Sequence, residues 1–290
     1  MLLAITQPTR GTEMQVTSKT AVRVLAALLG GAVLAQPAFA DVTGNIGVVS
    51  KYILRGITQT YTPAYDQSGP EQDGPAVQGG LDYNHESGFY AGYWFSTLGY
   101  SYNALNLGAP DTSGKQNSTE NDFYAGYNGK VNDKLGYTVG ATYYVYSPGF
   151  HSSAPETKLG VSYGPVSVTA QTLLNDVTFG NKGDTYWLAT YTHALPQDFT
   201  ATASLGWYSY HKNGRDINNY GCPEGQYPEA SGNCVDAKAV SSAFRHFTVG
   251  VTKPIGKTGA TWGLQYIFAG KNRFDQQQDN QLVGSLTYAF

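Results

Sequence analysis

Charge is scarce in this 290-residue chain. Asp, Glu, Lys and Arg together make up 13% of the residues, against roughly 25% in a typical soluble domain. The one extended apolar run, residues 24–35, is shorter than the roughly 20 residues that a membrane-spanning helix needs. The mean hydropathy is only -0.31. These deficits argue against an ordinary soluble protein and against a helical membrane protein.

Cysteine occurs only twice, at Cys222 and Cys234. Their spacing of twelve suits no compact zinc site, because no Cys-x-x-Cys pair or neighbouring His completes one. An oxidising cell surface would favour a disulfide, worth roughly 3 kcal/mol on the chain-entropy argument; free thiols are the alternative. Gly-x-Ser-x-Gly, His-Glu-x-x-His and phosphate-loop signatures are missing, so we expect no enzyme, metal or cofactor.

Glycine and tyrosine are abundant instead, with 35 and 23 copies. A transmembrane β-barrel explains this composition, because its strands alternate lipid-facing apolar residues with lumen-facing polar ones and tyrosine is common in its interfacial girdles. Twelve strands are predicted. They lie near 43–57, 76–86, 88–98, 120–131, 134–147, 156–164, 166–176, 184–195, 198–211, 244–255, 259–270 and 280–290.

The predicted connections alternate between long and short along the whole chain. Such sorting is typical of outer-membrane barrels, with short periplasmic turns and longer external loops. Apolar residues also recur at every second position within the strands, as in Leu135, Tyr137, Val139 and Ala141. The fold class is therefore predicted as an all-β, antiparallel, up-and-down transmembrane barrel of about 12 strands.

An export signal is predicted at the N-terminus. Lys19 and Arg23 precede the apolar run, and Ala38-Phe39-Ala40 follows it, which is the pattern of a signal peptide cleaved after Ala40. We expect residues 1–40 to be the signal, with Met14 as a possible true start, and residues 41–290 to be the barrel. A buried core helix is the alternative. The remaining chain would hold 15 basic and 20 acidic residues, which argues against a nucleic-acid partner.

The last strand alternates to the final residue. Leu282, Gly284, Leu286, Tyr288 and Phe290 share one face, so an aromatic edge strand is available for strand addition by the outer-membrane assembly machinery. An ordinary closing strand that happens to end in Phe is the alternative.

Five charged residues are candidates for the pore lining. Lys51 and Arg55 lie four apart on the first predicted strand, hence on one face about 13 Å apart. Asp82, Asp122 and Lys158 fall on the polar faces of strands two, four and six. They could form a charged eyelet that filters solutes by sign, or salt bridges that fill a narrow barrel.

Other inward and outward assignments follow from the same alternation. The aromatic residues Tyr90, Trp94, Tyr124 and Tyr144 are predicted to point inward, where they could plug the lumen. Arg245 falls with the apolar set of its strand, so it is expected at the outer rim facing lipid or lipopolysaccharide phosphate, or simply snorkelling.

Four stretches resemble the TorF family of porins, a Gram-negative outer-membrane family also catalogued as Gcw_chp. They are residues 45–60, 78–96, 122–127 and 143–149. The resemblance implies a barrel and suggests solute diffusion, and it makes Arg55, in the matched pair Arg55-Gly56, the first choice for a functional lumen residue. The loop 212–243 departs from the family pattern.

Two alternative functions are therefore predicted. One is an outer-membrane, porin-like channel for passive diffusion of small hydrophilic solutes. The alternative is a non-conducting barrel that binds a partner through its external loops. The expected partners are outer-membrane lipid and lipopolysaccharide, the assembly machinery and small hydrophilic solutes. The oligomeric state is left open.

Overall fold

A computed structural model describes residues 41–59, 74–99, 118–149, 152–177, 179–211, 226–228, 234–236, 240–273 and 275–290. Within these ranges the regular elements are all strands, and no helix is long and apolar enough to span a bilayer. The predicted signal peptide, residues 1–40, lies outside them.

The described residues contain sixteen strands. They are β1 (Asp41–Val49), β2 (Ile53–Leu54), β3 (Ile57–Thr58), β4 (Ala76–Asn84), β5 (Phe89–Thr97), β6 (Thr119–Lys130), β7 (Leu135–Ser147), β8 (Ala154–Tyr163), β9 (Val166–Leu173), β10 (Thr185–Ala194), β11 (Thr200–Ser209), β12 (Gln226–Pro228), β13 (Cys234–Asp236), β14 (Ser242–Pro254), β15 (Ala260–Ala269) and β16 (Gln281–Ala289).

Twelve of these strands form one closed antiparallel barrel. Each pairs with its neighbour in sequence, and β16 pairs with β1 to close the ring. The barrel strands have 8 to 13 residues, close to the roughly 9–11 that cross a bilayer when tilted. The prediction of a twelve-stranded barrel is confirmed.

The barrel carries its apolar residues on the outside. Each of the twelve strands exposes at least one large apolar side chain, for example Ile46, Leu81, Phe89, Phe123, Val139, Leu159, Val168, Trp187, Leu205, Phe247, Leu264 and Leu286. Buried hydroxyl side chains such as Thr138, Thr202 and Thr248 lie on the opposite face. A closed sheet pairs every interior backbone group within itself, so an apolar exterior can face lipid. The barrel is therefore of the transmembrane kind.

The connections are sorted by length between the two ends. Those of two to five residues are 85–88, 131–134, 164–165, 195–199 and 255–259, and those of six or more are 50–75, 98–118, 148–153, 174–184, 210–241 and 270–280. We refer to the two rims as the short-connection end and the long-connection end. The predicted alternation is confirmed.

The first predicted strand, 43–57, is wrong beyond residue 49. β1 ends at Val49, and the chain turns inward to form a separate two-stranded hairpin of β2 and β3. Residues 50–59, which we call the strap, contain this hairpin. Lys51 and Arg55 therefore do not share one face of a barrel strand.

The strap packs inside the long-connection half of the barrel. Ile53 and Leu54 contact an apolar cluster built from inward side chains and loop residues. The members of the cluster are Val49, Tyr52, Ala76, Leu98, Tyr144, Tyr146, Ala154, Leu173, Val177, Ile267 and Val283. At its root, the amide of Ser50 donates to the Gly284 carbonyl at 2.8 Å. The barrel thus has a small apolar core to which the strap contributes Tyr52, Ile53 and Leu54.

Candidate functional site

The tip of the strap is a tight turn formed by Arg55 and Gly56. Both residues have positive φ, 52° and 79°, as the two central residues of a type I′ hairpin turn require. A Cβ on Gly56 would lie 2.7 Å from the Arg245 carbonyl oxygen, so only glycine fits there. A left-handed backbone conformation costs an arginine residue roughly 1–2 kcal/mol. The contacts of the Arg55 side chain must offset this strain.

Arg55 forms a two-pronged ion pair with Glu156 on β8. Nη1 donates to Oε1 at 2.9 Å and Nη2 donates to Oε2 at 2.6 Å. Both side chains are buried, with 12% and 1% of their surface exposed. In the ring of twelve strands β8 lies nearly opposite β1. The strap therefore begins at one wall of the lumen and is fastened to the far wall.

Three tyrosines complete the surroundings of Arg55. Nη1 donates to the Tyr208 hydroxyl at 2.6 Å and Nη2 to the Tyr144 hydroxyl at 3.1 Å. The guanidinium also lies over the Tyr186 ring, 4.7 Å from its centroid. Tyr144 donates its own proton to Glu156 at 2.8 Å. Ion pair and phenols together form one connected polar network.

A second buried arginine, Arg245, fastens the strap from β14. Its Nε donates to the Arg55 carbonyl at 3.1 Å, and its Nη1 donates to the Tyr210 hydroxyl and the Lys271 carbonyl. The expectation that Arg245 faces lipid is wrong, because only 2% of it is exposed. The register between β11 and β14 shifts at this point, and such a bulge re-aims a side chain from one face of the sheet to the other.

The inward face of β6 carries two carboxylates, Glu120 and Asp122. Tyr52 of the strap donates its hydroxyl to Glu120 Oε2 at 3.1 Å. Tyr52 also packs edge-on against Trp94, with ring centroids 5.6 Å apart. The acidic side chains thus lie beside the strap, where Arg55 acts on both electrostatically while its hydrogen bonds go to Glu156.

Electrostatics keep both strap groups in their protonated forms. Burial lowers the pKa of Arg55, but the Glu156 carboxylate more than compensates, and the net pKa is well above its ordinary value. Burial raises the pKa of the Tyr52 phenol, and the nearby Glu120 carboxylate raises it further. Arg55 is therefore a permanent cation and Tyr52 a permanent hydrogen-bond donor.

The other predicted lining residues also lie inside the barrel, but not in one ring. Lys51 donates to Gln281 at 2.7 Å beside the root of the strap. Asp82 accepts a hydrogen bond from the Tyr124 hydroxyl. Lys158 lines a small cavity with Thr138 and Thr169, among others. Arg55 bonds to Glu156, and Asp122 and Lys158 interact with it electrostatically.

Inward tyrosines lie along the barrel wall. A Cβ on Gly92 would collide with the Tyr124 ring, and one on Gly126 would collide with Tyr90. Each ring therefore covers a glycine of the neighbouring strand, a packing that protects glycine in sheets. The side chains of Tyr90 and Tyr124 point inward as expected. Because their rings lie against the wall, they take up less of the lumen than rings pointing at the barrel axis would.

A second buried ion pair lies nearer the long-connection rim. Arg273 pairs with Asp184 and also donates to the His211 carbonyl at 3.1 Å. The carbonyl of Arg273 accepts from the Val240 amide at 3.1 Å. Because His211 and Val240 flank the loop 212–239, this arginine fastens both ends of that loop.

Several of these residues were missed by the sequence reasoning. Glu120 and Glu156 lie two positions before the predicted Asp122 and Lys158, so the period-two rule places them on the same inward faces. That rule could have found them. The same rule places Tyr208 inward, but its bond to Arg55 depends on the strap. Arg245 could not be assigned in this way, since its direction depends on a bulge.

The remaining predictions concern the two ends of the chain and the long loop. Leu282, Leu286, Tyr288 and Phe290 all point outward, and the Phe290 amide donates to Gly44 at 2.9 Å. Their role as an assembly signal stays a prediction. The predicted disulfide of Cys222 and Cys234 stays a prediction, because Cys222 lies outside the described residues. Within the described ranges no group of three or more His, Cys, Asp or Glu side chains could hold a metal ion.

Comparison with protein families gives one match. Residues 35–221 match the family described as "Bacterial protein of unknown function (Gcw_chp)". No curated protein matches the sequence.

Solved structures resemble the chain at low sequence identity. The KdgM porin is 10% identical, with a TM-score of 0.48 over 86% of this chain and 99% of that one. The outer membrane channel DcaP of Acinetobacter baumannii is 13% identical, with a TM-score of 0.37 over 89% and 100%. Outer membrane phospholipase A from Escherichia coli is 10% identical, with a TM-score of 0.39 over 88% and 96%.

Proposed function

The chain belongs to the Gcw_chp family of bacterial proteins of unknown function, and on this premise we propose that it is a porin-like channel of the Gram-negative outer membrane. It lets small hydrophilic solutes pass by diffusion. The stretches that resemble TorF porins fall largely within the matched region. The proposal includes export through a cleaved signal peptide and insertion by the outer-membrane assembly machinery.

One observation carries the proposal: a strap fastened by Arg55 and Glu156 crosses a lumen whose wall carries buried polar side chains. Twelve strands make a barrel wider than the eight-stranded kind, whose interior side chains can fill completely. Tyr90 and Tyr124 lie against the wall over glycines. The strap then restricts the long-connection half, with Arg55 and Glu156 at its tip. A constriction of this kind limits solute size while water fills the remaining space.

The charged lining supports a sieve for polar solutes. Arg55, Asp82, Asp122 and Lys158 are inward residues at different heights along the barrel. Charged side chains on a pore wall attract solutes of one sign and repel the other. Apolar solutes would gain nothing from such a wall, so the favoured cargo is hydrophilic.

A second candidate is a closed barrel that acts through its external loops. The packing of Ile53 and Leu54 into the lumenal apolar cluster favours it, because a strap packed in this way resembles a plug. The buried pair of Arg273 and Asp184, which fastens the loop 212–239, would then serve to present that loop to a partner.

Reconstitution decides between the two. Purified protein in a planar bilayer should give discrete conductance steps, and proteoliposomes should swell in small sugars and less so in larger ones. A variant in which residues 53–58 are replaced by two glycines should conduct more and admit larger sugars. Membranes that stay closed with both proteins would reject the channel and leave the loop-binding barrel.

A further inference from the structure

Two acidic residues of the lumen form no salt bridge among the described residues, although Arg55 acts on both electrostatically. Within the described part of the chain, the salt bridges of Arg55, Arg273 and Lys271 go to Glu156, Asp184 and Asp275. Glu120 and Asp122, at successive inward positions of β6, take part in none of them. We call these two residues the acidic wall.

The acidic wall is buried and incompletely hydrogen-bonded. Glu120 has 0% of its surface exposed. Its Oε1 and the Oδ1 of Asp122 are buried without any hydrogen-bond donor among the described residues, while Tyr52 reaches only Oε2 of Glu120. Burying an unpaired carboxylate oxygen is costly. A positively charged species between these oxygens would remove that cost.

The neighbours of the acidic wall supply no such charge. The cross-strand partners of Asp122 are Trp94 and Tyr144, and those of Glu120 are Ser96 and Tyr146. Arg55, the nearest guanidinium of the network, has both prongs on Glu156.

The other inward bases are directed elsewhere. Lys51 donates to Gln281, and Arg245 donates to the oxygens of Arg55, Tyr210 and Lys271. Lys158, on β8, interacts with Glu156. Three carboxylates, those of Glu120, Asp122 and Glu156, therefore share the positive charges of Arg55 and Lys158.

We propose that the acidic wall binds a small hard cation and makes the channel cation-selective. Carboxylate oxygens are the ligands that such cations prefer. Two carboxylates are fewer than a chelating cage provides, so binding is weak and exchangeable, as passage through a pore requires. The selectivity rests on the proposed channel function; the cation binding does not.

Reversal potentials in a KCl gradient test the selectivity. The unmodified channel should pass K⁺ in preference to Cl⁻. Asp122→Asn and Glu120→Gln should each lower the K⁺/Cl⁻ permeability ratio by about two- to four-fold, the effect of one unit charge a few ångströms away in water. Asp122→Glu, which retains the charge, should keep the ratio.

Asp275→Asn is the matched control. Asp275 pairs with Lys271 at 2.9 Å in the connection between β15 and β16, and its φ of 62° is one that Asn adopts readily. Removing this carboxylate should leave the permeability ratio unchanged. Equal passage of K⁺ and Cl⁻ in the unmodified protein, or a ratio that Asp122→Asn and Glu120→Gln do not change, overturns the selectivity.

Terbium luminescence tests the binding without any need for conduction. Tyr52 and Trp94 lie beside Glu120 and Asp122 and should sensitise bound Tb³⁺ in detergent-solubilised protein. The double variant Glu120→Gln/Asp122→Asn should lose a saturable component of the emission, and Asp275→Asn should retain it.

Conductance and terbium luminescence together separate the channel from the cation site. A closed membrane together with wall-dependent Tb³⁺ emission rejects the channel and keeps the cation site. A conducting channel whose double variant has unchanged emission and an unchanged ion ratio keeps the channel and rejects the site. Heat-dependent migration on gels checks that each variant is folded.

Discussion

Arg55 Nη2 and Glu156 Oε2 lie 2.6 Å apart, although 101 residues separate them in the sequence. This contact joins the free end of the strap to the wall opposite its root. Through this contact Arg55, which lies in the connection between β1 and β4, holds the strap across the lumen and so limits the free width of the lumen. The ion pair, rather than the short β2–β3 ladder, holds the strap across the barrel.

Replacing Glu156 by Gln should release the strap. A buried guanidinium left without its counter-charge typically costs 3–5 kcal/mol, and we expect a loss of about that size in the free energy of unfolding. Conductance should rise or become noisy as the tip of the strap moves. Urea unfolding in lipid vesicles and single-channel recording measure the two effects.

Two further variants test whether the effect comes from the unpaired charge. Arg55→Met/Glu156→Met should recover much of the lost stability, since apolar replacement of both partners is often neutral. Lys271→Met breaks an exposed pair and should cost about 0–1 kcal/mol. A Glu156→Gln variant as stable as Lys271→Met would contradict the role assigned to the pair.

Replacing Gly56 by Ala should loosen the tip of the strap, because it strains the backbone of the turn. The new Cβ meets the Arg245 carbonyl at 2.7 Å, and φ at this position is 79°. We expect a loss of about 2–5 kcal/mol, the sum of a left-handed backbone penalty and overpacking. Thermal unfolding monitored by circular dichroism measures it.

Gly256 offers the matched control for this substitution. It also has positive φ, 55°, but no atom lies within 4 Å of its Cβ position. Gly256→Ala should therefore cost only the backbone penalty, about 1–2 kcal/mol. Equal losses at the two glycines would show that the contact with Arg245 does not matter.

Most of the barrel could be predicted from the sequence because its rules are local. Period-two alternation decides which side chains face lipid, and turn residues set the strand ends. The inward faces of Asp82, Asp122 and Lys158 follow directly from these rules. The predicted and observed boundaries of the later strands differ by a few residues at most, as expected where pairing frays.

The strap could not be predicted in the same way. Residues 43–57 are predicted as one continuous strand. In the structure Ile53 and Leu54 pack instead against a lumenal cluster that no local pattern reveals. Arg245 presents the same difficulty, since a single bulge reverses its direction. Both errors concern residues whose surroundings come from distant parts of the chain.

Replacing Gly92 by Ala should narrow the lumen. The new methyl group would push the Tyr124 ring away from the wall and break its hydrogen bond to Asp82. We expect lower conductance and a stability loss of about 1–3 kcal/mol from overpacking. Adding Tyr124→Ala to this variant should restore the conductance.

Gly284→Ala is the control for the narrowing. Gly284 lies on the outer face of β16, and no atom lies within 4 Å of its Cβ position. Conductance should not change in this variant. A drop as large as that of Gly92→Ala would mean that the wall-lying tyrosine does not set the free cross-section.

Replacing Leu159 by Arg should strongly destabilise the protein in lipid. Leu159 lies near the middle of β8 with 56% of its surface exposed, so the charge would enter the hydrocarbon at mid-depth. Arginine at the midplane of an outer-membrane barrel costs about 2–4 kcal/mol, and near an interface about 0–1 kcal/mol.

Val42, 67% exposed near the short-connection end of β1, supplies the interfacial counterpart. Urea unfolding in vesicles should give a clearly larger loss for Leu159→Arg than for Val42→Arg. Because the two positions are similarly exposed and differ in depth, equal losses would mean that the apolar exterior does not face a bilayer.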